Sequence, residues 1–571
     1  MPEAAQIAVT DPRRIVVVGG VAGGMSAAAR ARRLDERAEI VVLEQSSYVS
    51  FAGCGLPYRL SGEIEHRDDL LLHTPASLGA SLALDVRTDS RVTAIDRAAR
   101  TVAVTTADGS YALPYDALLL SPGAVAVRPP VEGLDHPGVH ALRTLPDLDA
   151  VDEHVARLLT ARRGAGRPRA VVVGAGFIGL EAVEALVTRG LEVDVVELAD
   201  QVLPPLDAEL APLLAAELRA HGVGLHLGVS ARSITPGTDD ALRIELSDGT
   251  TVGADLVLVN VGVRPASGLA ADAGLELGRQ GAIRVDEDQR TSDPNVWAVG
   301  DAVEVVQAVT GAVGPVPLAG PANRQGRRAA DSMLGRRTTP QAAVLGTAIV
   351  RVFGLTAAVT GPSQAALARA GLAHEVVRIH PGHHAGWFPG AEQVHLVATF
   401  APDGRLLGAQ AVGRAGVDKR IDVLATALRA GMTADDLAEL ELAYAPPYGA
   451  AKDPVNMLGF VAQNVLDGTL PQWHPADLDD ALADTLVLDV RSVAEFDRGH
   501  LKGALHVPHT ELRGRLDEVR SAAAGRPVSV HCASGVRSHL ATRVLLAEGL
   551  DARNLSGGWL TLTAVRPDLV A

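Results

Sequence analysis

The sequence predicts an α/β chain of several domains, built around two dinucleotide-binding units. Three observations carry that prediction. A strand, glycine turn, helix and second strand ending in an acid occurs twice. An apolar strand near residue 297 delivers Gly300-Asp301 to its end. A further α/β unit opens at Leu486-Val-Leu-Asp-Val490, after the pattern of the preceding region has ended.

The first copy runs Arg14-Ile-Val-Val-Val-Gly19-Gly20-Val21-Ala22-Gly23-Gly24, then a helical run Met25 to Leu34, then Glu39 to Glu44. The second runs Ala170-Val-Val-Val-Gly174-Ala-Gly176-Phe177-Ile178-Gly179, then Leu180 to Arg189, then Leu191 to Glu197. Glycines let a backbone approach a pyrophosphate, and the helix N-terminus faces it with N–H groups and the positive end of its dipole. Glu44 and Glu197 stand where a carboxylate accepts hydrogen bonds from ribose hydroxyls. The first copy departs from the strict pattern, since Val21 takes the place of the middle glycine. After Glu197 come Leu198, Ala199 and Asp200, so a 2′-phosphate would meet negative charge; NADH is favoured over NADPH.

Beyond these units, Thr347 to Phe353, Glu375 to Ile379 and Val394 to Phe400 read as strands. Helical periodicity returns at Asp418 to Arg429, and Pro471 to Pro475 reads as a linker. The 571 residues exceed one core, and aromatics are only 3%, so the cores must be made of Ala, Val and Leu. A formal charge of −16 argues against nucleic-acid binding and suits a soluble cytoplasmic enzyme. No run of eighteen apolar residues suggests a membrane span. The segment Met1 to Arg14 lacks the apolar stretch of a signal peptide and reads as a frayed extension. Two cysteines, Cys54 and Cys532, exclude a disulfide-stapled secreted fold, and no set of metal ligands stands out.

About the first 465 residues resemble the FAD-dependent pyridine nucleotide-disulfide oxidoreductases, in their coenzyme A-disulfide and persulfide reductase branch. The two dinucleotide motifs, Ser50-Phe-Ala-Gly-Cys54-Gly-Leu-Pro-Tyr58, Leu258 to Pro265, Val299-Gly-Asp301, Leu318 to Arg327 and Ala443 to Asn456 carry the likeness. The resemblance implies an FAD domain over residues 1–150 and 251–335, an NAD(P)H domain over 151–250 and an α+β dimerisation domain over 336–468. FAD would then be held by Gly19 to Gly24, Glu44, Gln45, Ser121, Pro122, Gly123, Gly300, Asp301, Pro317 and Ala319. NADH would be held by Gly174, Gly176, Phe177, Ile178, Gly179, Glu197 and Gly262, and substrate by Ser50, Asn323, Arg324 and Lys452. A homodimer is implied, in which Tyr444 or Tyr448 from one subunit donates a proton at the partner's Cys54 site.

Many relatives carry a Cys-x4-Cys pair, but the chain's other cysteine lies 478 positions from Cys54. A single thiol stores oxidising equivalents as a mixed disulfide with an external thiol, as a persulfide, or as a sulfenic acid. Two departures weaken coenzyme A disulfide as the substrate, although coenzyme A stays a candidate ligand. Trp387 and Phe388 replace a tyrosine pair usual in this family, and His73 to Leu82 lacks the basic residues common there. His383 and His384 read as surface histidines.

The last hundred residues, about 474–571, resemble a rhodanese domain. The matching pieces are Leu488 to Arg491, Glu495 to His500, His506 to Pro508, Val530 to Ser538 and Leu555 to Trp559. A strand ending at His531 presents Cys532, and a loop through Ala533, Ser534, Gly535 and Val536 leads to a helix expected near Ser538. Such a loop forms an anion nest that favours a thiolate or persulfide, and Arg537 would add a fixed positive charge. The expected activity is reduction of persulfide, polysulfide or coenzyme A disulfide at Cys54, coupled to sulfane-sulfur transfer at Cys532. The alternatives are an NADH oxidase cycling Cys54 through sulfenic acid, and a redox-sensing protein that docks through its rhodanese domain.

Overall fold

The computed structural model describes residues 12–161, 166–237 and 241–569, so the extension read at the N-terminus lies largely outside the described residues. The chain forms two compact units. One holds residues through Gly174, Ala185–Val193 and Ala231–Val344; the other holds Ala175–Glu184, Asp194–Ser230 and the chain from Leu345 onward.

The first unit is organised by a five-stranded parallel sheet. Its strand order is Val296–Ala298, Ala117–Leu120, Arg14–Val18, Glu39–Leu43, Asp85–Arg87. Side chains alternate across a strand, and here they sort into two cores. Ile15, Val17, Ile40, Val42, Leu119 and Trp297 face the helices Ala22–Leu34 and Ala319–Met333. Val16, Val18, Val41, Leu43, Leu118 and Leu120 face a three-stranded antiparallel sheet through Ile95, Val102, Val104 and Leu113. A sheet covered on both faces explains why its strands read as unbroken apolar runs.

The scarcity of aromatics has a structural counterpart. The two helices pack through Ala27, Ala28, Ala31, Ala329 and Ala330. At their crossing, a Cβ on Gly326 would collide with the Gly23 carbonyl. That close approach brings the start of the second helix beside the first glycine turn. Elsewhere in this unit, Arg169–Val173 pairs in parallel with Leu256–Val259, which pairs with Val139–His140.

In the second unit, Asp194 to Glu197 runs parallel to Gly224–Leu227. Its largest sheet is antiparallel, ordered Ala348–Val352, Leu355–Thr360, Leu406–Gly413, Val394–Phe400, Glu375–Ile379. Helices Val417–Ala430 and Pro454–Leu466 pack on it. Two of the five strands escaped the sequence reading: Leu-Leu-Gly-Ala-Gln-Ala-Val-Gly has a single β-branched residue and no aromatic, and Leu-Thr-Ala-Ala-Val-Thr is short, without aromatics and interrupted by two alanines. The last sheet is parallel, ordered Gln472–Trp473, Ala552–Leu555, Val528–His531, Leu486–Asp489, Leu505–His506. The segment read as a linker therefore contributes an edge strand, and Trp473 is buried in the core with Val487, Leu555 and Leu562. The buried Arg378 guanidinium joins the two sheets of this unit. It donates to Glu209, Gln364, His474 and Ser556, so its charge is paired and its donors are used.

Candidate functional site

Gly19 sits at φ +98°, and a Cβ there would collide with the Ser121 carbonyl. Ser121 in turn donates its N–H to Val18 O at 2.8 Å. Gly300, at φ +81°, donates its N–H to the buried Gln325 side-chain carbonyl at 2.8 Å. Asp301 pairs with Arg143 at 3.3 Å, and Arg143 also donates to Ala124 O at 2.7 Å. The residues expected to hold FAD, Gly19 to Gly24, Ser121 to Gly123 and Gly300-Asp301, are thus drawn together in one unit. Ala319 opens the helix Ala319–Met333 beside them, and Asn323 donates to the Ala319 carbonyl. Backbone kept bare of side chains at the end of parallel strands fits a dinucleotide.

The departure at Val21 is harmless for a visible reason. Val21 has φ −110° and caps the helix, so its position needs no left-handed backbone. Glu44, anticipated at a ribose, is buried and bonded within the protein. One carboxylate oxygen accepts from Gly20 N at 2.9 Å, the other from Ser46 N and Oγ at 2.9 Å. Glu197 repeats the arrangement, accepting from Ala175 N at 2.7 Å and Ala199 N at 2.8 Å. Each acid braces its own glycine turn. Gln45 is exposed just beyond Glu44.

Gly174, at φ +104°, lies against the Asn260 backbone. The buried Asn260 Nδ2 has no hydrogen-bond partner among the described residues, as suits a cradle awaiting a polar ligand. Nothing lies within 4 Å of where a Cβ on Gly176 or Gly262 would stand. Ile178 is exposed on the first turn of the helix Phe177–Thr188. The expected nucleotide preference is an NADH kcat/KM about tenfold or more above that for NADPH, because Glu197 and Asp200 repel a 2′-phosphate. Steady-state kinetics with both nucleotides checks it, and a preference for NADPH would refute it.

Cys54 is an exposed thiol in the single turn Gly53–Gly55. Its segment is fastened to the first glycine turn. Ser50, in left-handed conformation at φ 51°, donates its N–H to the Gly20 carbonyl at 2.8 Å. Ala52 N then bonds Leu70 O, and Gly55 N bonds Ala52 O. The thiol therefore stands four residues from a direct backbone bond to the dinucleotide turn.

Tyr444 and Tyr448 lie in an irregular segment of the second unit and are exposed, Tyr448 by 73%. Asp453 anchors the segment. It caps helix Pro454–Leu466 and pairs with the buried Arg420 at 2.8 Å and with Lys419 at 3.6 Å. Arg420 also donates to His383 O, and Ala385 N donates to Gly449 O, so the Trp387-Phe388 stretch is held against the tyrosine loop. Trp387 is 75% exposed. His384 corrects the surface reading, since it is buried with its ring edge-on to Phe388. Lys452, Asn323 and Arg324 are exposed.

Cys532 is only 1% exposed and belongs to the core of its domain. Ser538 Oγ lies 3.2 Å from its Sγ, placed to donate. Gly535, at φ +96°, turns the loop into a helix that begins at Val536, two residues earlier than expected. The carbonyls of Cys532 and Ala533 accept from Trp559 and Leu560 N–H groups at 2.8 and 3.0 Å. A side chain on Gly558 would displace this loop, since its Cβ would stand 2.7–2.8 Å from Cys532 O, Ala533 O and Gly535 N. The nest expected around the thiol is thus braced by the Gly557-Gly558-Trp559 turn.

Arg537, expected to add a fixed positive charge, reaches Cys532 and also has a carboxylate partner. Both its Nη atoms bond the two carboxylate oxygens of Glu495, at 2.7 and 2.6 Å. That guanidinium holds the Glu495 carboxyl far below the usual carboxylate range, and Arg537 is raised in turn, chiefly by Glu495 and to a lesser degree by Cys532. His531, next to Cys532, is fully buried, and burial pushes its pKa down to about 4. It is neutral at pH 7, stacked near Trp559. Sequence reasoning had not assigned roles to Glu495, Ser538, Gln325 or Arg143; the first three stood inside quoted motifs, but only contact reveals what they do. No cluster of three or more metal-ligating side chains and no helix long and apolar enough to cross a membrane exists among the described residues.

The family described as pyridine nucleotide-disulphide oxidoreductase matches residues 13–315, its dimerisation domain residues 347–453, and the rhodanese-like domain residues 471–564. A protein named coenzyme A disulfide reductase from Staphylococcus haemolyticus (strain JCSC1435) is 34% identical over 456 residues, 79% of this chain and 100% of that one. The structure of reduced Bacillus anthracis CoADR-RHD superposes with a TM-score of 0.93 at 39% identity, covering 98% of this chain and 99% of that one. An NAD-dependent persulfide reductase from A. fulgidus superposes at 0.89 with 38% identity, covering 96% and 99%.

Proposed function

The chain belongs to the pyridine nucleotide-disulphide oxidoreductase family and ends in a rhodanese-like domain, and from that premise we propose that it uses NADH to reduce persulfide, polysulfide or coenzyme A disulfide at Cys54, with sulfane sulfur carried by Cys532. The observation behind this reading is the exposed Cys54 thiol, fastened through Ser50 to the Gly20 carbonyl. The names of the relatives support the reaction class.

Cys54, as thiolate, attacks the substituted sulfur of R–S–S–H. The S–S bond breaks, HS⁻ leaves, and a Cys54–S–S–R mixed disulfide forms. With a symmetric disulfide, RS⁻ leaves instead. Bound flavin supplies the passage of two electrons from NADH that returns the Cys54 thiolate and the thiol RSH. The chain's own part is positional. Gln325 and Arg143 fix the Gly300-Asp301 turn, and Glu44 fixes the first glycine turn. The exposed Trp387, Tyr444 and Tyr448 form an aromatic surface of the kind covered in an assembly. We assign it to a homodimer in which Tyr444 or Tyr448 donates a proton to the leaving thiolate at the partner's site.

Following NADH oxidation with a panel of acceptors tests the reading. A persulfide, polysulfide or coenzyme A disulfide is expected to exceed oxygen in kcat/KM by about a hundredfold or more. Oxygen as the best acceptor would instead make the chain an oxidase.

A further inference from the structure

We propose that Glu495 sets the donor class at Cys532. By matching the charge of Arg537, it selects an organic persulfide, with at most one charge at its reacting end, over dianionic thiosulfate. The inference rests on the reading of Cys532 as a sulfur-accepting nucleophile and narrows its substrate.

Three observations carry it. The ion pair is bidentate, and Ser492 fixes the same Glu495 oxygen through its N–H at 3.0 Å and its hydroxyl at 2.6 Å. Glu495 is therefore a built partner and not a loose surface carboxylate. The domain's other nearby guanidinium is also closed: Arg491 pairs with the buried Asp489 at 2.6 Å, donates to Gly499 O and stacks over Trp559. Neither cation offers unmatched charge to an incoming dianion. Finally, Val493, Val536 and Leu540 are exposed on the two helices that carry the ion pair, with Val536 and Leu540 one turn apart. They give a carbon chain apolar surface that thiosulfate cannot use.

The step balances. Cys532–S⁻ attacks the outer sulfur of R–S–S–H, the donor S–S bond breaks, and RS⁻ leaves, taking the proton as RSH. Cys532–S–S⁻ remains. Cyanide then accepts the outer sulfur as thiocyanate and frees Cys532–S⁻.

The test measures thiocyanate formation by the full-length protein from butyl hydropersulfide and from thiosulfate, with the uncatalysed rate subtracted. Wild type is expected to favour the persulfide in kcat/KM. Glu495→Gln, which unmasks Arg537, should lower the persulfide-to-thiosulfate ratio about tenfold or more, mainly through a smaller thiosulfate KM, and the gain should shrink with salt. Glu495→Asp keeps the charge and should keep the wild-type ratio. A ratio unmoved by Glu495→Gln, or an equal loss for both donors, overturns the proposal while leaving Cys532 a sulfurtransferase. Wild type preferring thiosulfate overturns it without any variant. Absence of Cys532-dependent transfer from either donor overturns the underlying reading as well.

Discussion

Replacing Cys54 with serine is expected to abolish NADH-dependent reduction of persulfide and disulfide, by on the order of 10³-fold or more, while flavin stays bound. A serine hydroxyl is not ionised near neutral pH and cannot form the mixed disulfide on which turnover depends. The binding side of the prediction follows from geometry. The Gly19 turn, the Gly300–Gln325 bond and the Asp301–Arg143 pair make no use of the Cys54 side chain. The Ser50–Gly20 bond is backbone to backbone and survives the change. Flavin absorbance of the purified variant checks binding, and loss of NADH absorbance with a persulfide checks turnover. Persistent turnover in a flavin-loaded variant would remove Cys54 from the chemistry.

Cys532→Ser should produce the complementary loss. Thiocyanate formation from a sulfane donor is expected to fall by on the order of 10³-fold or more, with flavin content at the wild-type level. In the proposed reaction Cys532 carries the persulfide, and its surroundings suit that charge: Ser538 Oγ at 3.2 Å, the left-handed Gly535, and a loop pinned by Trp559 and Leu560 N–H groups. Oxygen in place of sulfur preserves the packing at this buried position but removes the acceptor. Mass spectrometry after donor treatment gives a second reading, a 32 Da adduct confined to the peptide containing Cys532. An adduct level unchanged by the substitution would locate the sulfur elsewhere.

Much of the site could be read along the chain because its chemistry depends on backbone freedom at fixed spacing. The glycines at 19, 174 and 300 take positive φ, which side chains disfavour. The acids at 44 and 197 end strands, so their distance from the turn is set by strand and helix lengths. What was misread depended on partners far away in sequence. The strand Leu406–Gly413 is buried along its whole length between one partner strand close in sequence and another 49 to 57 residues distant, so small residues sufficed where periodicity would have asked for large ones. Gln472–Trp473 became a strand because Ala552–Leu555 offered it a parallel edge.

By itself, then, the sequence determined the two glycine turns, the thiol segment at Cys54 and the loop that follows Cys532, since each is a local pattern of a few residues whose backbone requirements are written in glycine and in spacing. Only the tertiary structure decided which charges remain available. Arg537 reads as a free cation until folding brings up Glu495, 42 positions earlier, and Gly300 reads as a flexible turn until Gln325 takes its N–H. Electrostatics depends on distance through space, and a linear chain carries no record of it until the core has closed.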